Sequence, residues 1–167
     1  MTTDRLISEP GWDDEAPAAV FAVVVRAAEL AANGRADAAS NVMADAVSES
    51  AWLRIAAVRT LAGLLAGPDA AARFDKLRAD VHELATATGA RDAQARLSLA
   101  AIALAEAYER GAIGRCNELT DMAEFLDLDV AYAAAVICGH VVAYLADGHT
   151  DAVFAALRRR HGLEGTP

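Results

Sequence analysis

Hydrophobic positions recur along most of the chain at intervals of three and four residues, the spacing that brings side chains onto one face of an α-helix. Phe74, Leu77, Val81 and Leu84 form one such run. The pattern predicts eight helices, at about residues 18–33, 36–47, 48–66, 68–88, 92–110, 115–126, 130–146 and 150–161. β-branched and aromatic residues, which favour strands, are few outside short runs. The predicted fold class is therefore all-α.

Glycines mark the corners between successive helices. Gly34, Gly67, Gly111 and Gly148 each follow one helical run and precede another, 33 to 44 residues apart. Glycine commonly ends a helix because it adopts the left-handed conformation without strain. Spacings of this length are typical of stacked helical repeats. We expect about eight antiparallel helices paired as four helical hairpins, in either an α-solenoid-like stack or an irregular helical bundle.

Small residues follow the first two corners at matching distances. They are Gly34, Ala39 and Ala46 in the first hairpin, and Gly67, Ala72 and Ala79 in the second. In this spacing, residues 18–80 resemble tetratricopeptide repeats, although Val, Leu or Ala occupies most of the large aromatic positions of that family. The resemblance implies a concave groove that binds a peptide or a protein partner. It assigns no ligand-clamping residues, because the groove positions lack a matching Asn, Lys or Arg pattern.

The ends of the chain differ from its middle. Residues 1–15 are predicted to be a flexible N-terminal arm, residues 16–161 a single helical domain, and residues 162–167 a C-terminal tail. Trp12 is unusual in such an arm, since a large aromatic side chain generally docks somewhere. Its docking surface is either its own domain or a partner.

Composition narrows the class of partner. Alanine supplies about a quarter of the chain, which supports helices and suggests a GC-rich bacterial genome. The net charge of −9 disfavours nucleic acid and suits a protein or peptide partner of basic character. The apolar segment 130–146 is at the lower limit for a membrane span and lacks basic anchors, so we expect it to be a buried core helix. No signal peptide is visible, and we expect a cytoplasmic protein.

Catalytic signatures are not found in the sequence. Cys116 and Cys138 are expected to be reduced thiols, and the histidines lack the helical spacing of a metal site. No glycine-rich phosphate loop or nucleophile motif is found. The sequence therefore predicts no cofactor, no metal and no enzymatic activity.

Two groups of residues remain as candidate sites. Glu118, Asp121 and Glu124 recur at three-residue spacing and, with Trp12, form a candidate surface for a partner. The second group is a candidate pocket on the seventh helix, lined by Tyr132, Cys138, His140 and Tyr144. The leading hypothesis is a helical scaffold or adaptor that binds a protein or peptide, with homodimer formation through its apolar ends as a further expectation. The alternative is a regulatory domain that binds a small molecule near the seventh helix.

Overall fold

A computed structural model describes residues 10–88 and 92–163 of the chain. This part contains α-helices, one short 3₁₀ turn at Val47–Glu49, and no strand, which confirms the all-α prediction. The helices are α1 (Ala18–Ala32), α2 (Ala36–Asp45), α3 (Ser50–Leu65), α4 (Ala70–Thr88), α5 (Asp92–Glu109), α6 (Ile113–Asp121), α7 (Asp127–Leu145) and α8 (Thr150–Arg160).

Left-handed glycines end the helices at the predicted corners. Gly34 has a φ of +76° and Gly111 a φ of +72°. After Gly34, the Arg35 amide donates to the Leu30 carbonyl at 2.8 Å, and the Gly34 amide donates to Ala31 at 3.1 Å. This pair of bonds satisfies carbonyls that the end of a helix would otherwise leave without partners. The chain therefore turns where a glycine, which tolerates a positive φ, follows the helix.

Helix α7 is the centre of the fold. It packs most extensively against α3 and α1, and then against α5. Gly139 allows the closest approach, because a Cβ atom there would lie 2.4 Å from the Ala28 carbonyl oxygen of α1. In a regular helical stack each repeat contacts only its neighbours. Here α1 and α7, which are far apart in the sequence, pack directly on each other, so this contact is not one between neighbouring hairpins.

Among the described helices taken one at a time, α7 is the one whose length and composition would allow it to cross a membrane. Just over half of its apolar window, 56%, is buried inside the fold. Its first turn carries Asp127, whose carboxylate lies 2.5 Å from the guanidinium of the buried Arg54 on α3. An ion pair and an apolar face thus hold α7 against α3.

Helix α4 departs from the predicted hairpin arrangement. The chain turns through 115° between α3 and α4, so α4 does not fold back along α3. It packs mainly on α5, where Arg78 of α4 forms a 2.8 Å ion pair with Glu106. Only Ala70 and Phe74 of α4 are fully buried, while Leu77 and Val81 pack against the core with part of their surface exposed.

The N-terminal segment corrects two sequence predictions. Trp12 is only 3% exposed, and its indole nitrogen donates to the Thr120 hydroxyl at 3.2 Å. It therefore docks on its own domain and is not available as a partner contact, and the predicted arm of residues 1–15 is too long. Residues 1–9 and 164–167 lie outside the described residues. Leu163, placed in the predicted tail, is buried, so the domain extends at least that far.

Candidate functional site

An open cleft of about 660 Å³ separates α4 from α7. We call it the α4–α7 cleft. Its two long walls are α4 and α7, its base is the start of α5 with Leu97 and Ser98, and Leu65 and Ala36 also line it. The cleft exists because α4 leaves α3 at 115° and rests on α5, which keeps it away from α7.

The α4 wall carries a hydrophobic stripe that none of the described helices covers. Phe74 is fully buried, but Leu77 and Val81 are half-buried and Leu84 is 64% exposed. The periodicity predicted that all four residues share one helical face. The structure shows that the burial of this face decreases along the helix: Leu77 and Val81 still pack against the core, and Leu77, Val81 and Leu84 all line the open cleft.

The α7 wall presents a matching stripe. Tyr132, Val136, His140 and Tyr144 follow one another at four-residue spacing and all line the cleft. The Tyr132 hydroxyl donates to the carbonyl of Ala36 at 3.1 Å, which fixes its ring at one end. His140 is exposed, and Tyr144 is 72% exposed at the other end. The lining is thus mainly apolar, with a few polar groups along its length.

Lys76 connects the two walls at the mouth of the cleft. Its ammonium nitrogen lies 5.5 Å from the centre of the Tyr144 ring and 3.2 Å from each carboxylate oxygen of Asp80. The hydrogen bond and the charge of Asp80 raise the pKa of Lys76 above its ordinary value. Nearby, Arg73 donates to the carbonyl of Ala66 at 3.2 Å. The charged groups therefore lie on the α4 rim.

The structure brings together three of the four residues predicted to line a pocket, and whether they bind a ligand stays a prediction. Tyr132, His140 and Tyr144 line the cleft together. Cys138 does not, because its thiol points to the opposite side of α7, 3.9 Å from the carbonyl oxygen of Ala57 on α3. Burial strongly raises the pKa of this thiol.

The predicted acidic surface is interrupted. α6 ends at Asp121, so Glu124 does not continue the helical face of Glu118 and Asp121. Arg115 pairs with Glu118 at 3.0 Å, and Arg96 pairs with Glu124 at 2.8 Å. Of the three carboxylates, two are already neutralised within the chain. Their exposure still allows contact with a partner, but their charge is largely compensated.

The described residues contain no cluster of three or more His, Cys, Asp or Glu side chains that could hold a metal ion. The chemistry that the cleft offers is therefore burial of an apolar surface, with orientation by the few polar groups at its edges. Comparison of the chain with protein-family models, curated proteins and solved structures gave no match.

Proposed function

We propose that the chain is a non-enzymatic binding protein whose α4–α7 cleft receives the apolar face of an amphipathic helix from a protein partner. The observation that carries the proposal is the uncovered stripe of α4, because Leu77, Val81 and Leu84 have the spacing of a core-facing helix and yet line an open cleft. A helix laid between α4 and α7 would supply the missing cover.

The length of the cleft favours a helix. The lining residues of α7 extend from Tyr132 to Leu145, which at about 1.5 Å per residue spans roughly 20 Å. The lining residues of α4 extend from Arg73 to Leu84 on the other side of the cleft. The α7 wall alone matches about four turns of a partner helix, whose apolar residues at every third or fourth position would meet its stripe and contact the α4 stripe across the cleft.

The edges of the cleft have the character of a protein interface. Leu84, Tyr144 and Leu145 are 64%, 72% and 52% exposed, and all three line the cleft. Large apolar side chains grouped at the rim of an apolar groove are typical of surfaces that a partner protein covers. A small molecule lying deep in the cleft would leave these three side chains in water.

Peptide selection tests the proposal. Displayed peptides of about 16 residues are selected against the purified chain, and the bound sequences are measured by fluorescence anisotropy. We expect apolar residues at helical spacing. Leu84→Glu should weaken binding at least tenfold, because burial of a leucine contributes about 1.5–3 kcal/mol and about 1.4 kcal/mol corresponds to a factor of ten.

Leu126→Glu is the matched control. Leu126 is also a largely exposed leucine, at 74%, but it does not line the cleft. This variant should change peptide affinity by no more than about twofold, within the usual scatter of surface substitutions. Equal loss in the two variants, or selected peptides that bind Leu84→Glu unchanged, would contradict the proposal.

A small apolar ligand is the second candidate, because a volume of about 660 Å³ falls within the usual range of small-molecule pockets. The two functions separate with the same variants. If no peptide is selected and a neutral apolar dye binds the wild-type chain but not Leu84→Glu, the cleft is a small-molecule site.

A further inference from the structure

Three basic side chains collect on a face that the cleft does not include. Arg160, at the end of α8, places its guanidinium against α3, with one terminal nitrogen 3.3 Å from where a Cβ atom of Gly63 would stand. Arg59 lies one turn before Gly63 on the same face of α3. His161 follows Arg160 directly, and its ring stacks on Phe21 with 4.1 Å between the ring centres.

The contacts of these side chains are with neutral groups. Arg59 donates to the backbone carbonyl of Asp14 at 2.9 Å, and its guanidinium carbon lies 5.2 Å from the centre of the Tyr108 ring. Arg160 lies beside Gly63 and is exposed, and His161 stacks on Phe21. None of these contacts removes positive charge.

Within residues 10–88 and 92–163, no carboxylate forms an ion pair with Arg59, Arg160 or His161. Arg158, two residues before Arg160, does pair with Glu29. The chain has 24 acidic and 15 basic residues. Mutual repulsion opposes the grouping of three basic side chains that pair with no acidic residue in the described part of the chain.

The repulsion is visible at His161. Partial burial lowers the pKa of its imidazole, and the charges of Arg160 and Arg59 lower it further. In its neutral form the imidazole still offers one N–H donor. The group as a whole thus combines two guanidinium groups with one imidazole, the donor set that suits an oxyanion.

We propose that Arg59, Arg160 and His161 bind a phosphate group carried by a small molecule. Guanidinium groups bind phosphate through paired N–H donors, and a tetrahedral phosphate can accept bonds from several directions. The net charge of −9 repels extended polyanions, which favours a small ligand over nucleic acid or an anionic membrane surface.

Titration of the full chain with inorganic phosphate at constant ionic strength tests this site, with calorimetry for affinity and NMR signals of the His161 ring for location. Arg160→Gln should weaken phosphate binding at least tenfold. Arg159→Gln is the control, because it removes the same charge from the neighbouring position, and it should change affinity by about twofold or less. Acetate should bind at least tenfold more weakly than phosphate.

Two results would overturn the proposal. The first is an equal effect of the two substitutions, which would mean that phosphate senses only the general charge of α8. The second is acetate binding as tight as phosphate binding.

Discussion

Gly139→Ala probes the contact on which the position of α7 depends. A methyl group at this position would lie 2.4 Å from the carbonyl oxygen of Ala28, 2.9 Å from the amide nitrogen of Ala32 and 3.1 Å from the Cβ atom of Ala31. The first two are backbone atoms of α1, which cannot rotate out of the way as a side chain would. The methyl group fits only if α7 and α1 move apart.

The expected magnitude comes from two opposing effects. Replacement of a glycine by alanine within an open helix stabilises by about 0.5–1 kcal/mol. Overpacking of a tight core contact costs about 1–3 kcal/mol and occasionally more. Because backbone atoms form the obstruction at Gly139, the overpacking cost should lie in the upper part of this range, and we expect a net destabilisation of about 1.5–2.5 kcal/mol, which for a domain of this size lowers the melting temperature by roughly 3–10 °C.

Urea and thermal unfolding followed by circular dichroism measure this change. Gly114→Ala is the control, since Gly114 also lies within a helix but a Cβ atom there would meet nothing within 4 Å. That variant should gain about 0.5–1 kcal/mol from helix propensity alone. If Gly139→Ala were as stable as the wild type while Gly114→Ala behaved as expected, the close packing of α7 on α1 would be refuted.

Three further predictions concern buried groups. Trp12→Ala should destabilise by about 3–5 kcal/mol, because it empties a core position and removes the bond to Thr120, and a loss below 1 kcal/mol in urea unfolding would contradict this packing. The lowered pKa of His161 means that the unfolded chain binds more protons than the folded chain, so the free energy of unfolding should fall as the pH decreases below about 6.5. A His161→Gln variant with the same pH profile as the wild type would contradict this prediction. Burial raises the pKa of Cys116 and of Cys138, so a thiol reagent at neutral pH should label both cysteines in urea and neither in the folded chain. Rapid labelling of the folded chain would contradict this prediction, because it would show that the thiols are accessible.

Local chemistry accounts for the part of the fold that the sequence predicts well. Helix periodicity and left-handed glycines act over a few residues, so the corners at Gly34 and Gly111 follow from the sequence alone. The end of α6 was harder to predict. Met122 and Leu126 continue the apolar spacing and suggested a helix through residue 126, but the helix ends at Asp121 and both side chains are largely exposed.

The cleft depends on the angle between helices, which the periodicity of a single helix does not determine. The run from Phe74 to Leu84 correctly indicates an apolar face, but the angle between α3 and α4 decides what that face meets. Trp12 is a similar case, since its partner Thr120 is 108 residues away in the chain and its neighbours suggested an arm. For the α4 stripe and for Trp12, contacts between residues far apart in the chain therefore decide the position of the side chains, and the local sequence pattern does not.

One error in the candidate pocket could have been avoided from the sequence. Tyr132, His140 and Tyr144 repeat at intervals of four and eight residues, which keeps them on one helical face. Cys138 lies two residues from His140, so it points to the other side of α7. Strict use of helical geometry would have left Cys138 out of the pocket, and the structure places its thiol against α3.

The most direct test of the account is an isotope-filtered NOE experiment on the labelled chain bound to a selected, unlabelled peptide. The proposed function predicts contacts from apolar side chains of a helical peptide to the methyl groups of Val81, Leu84 and Val136, on both walls of the cleft. Contacts confined to exposed apolar residues elsewhere, such as Leu126 and Val47, would contradict it.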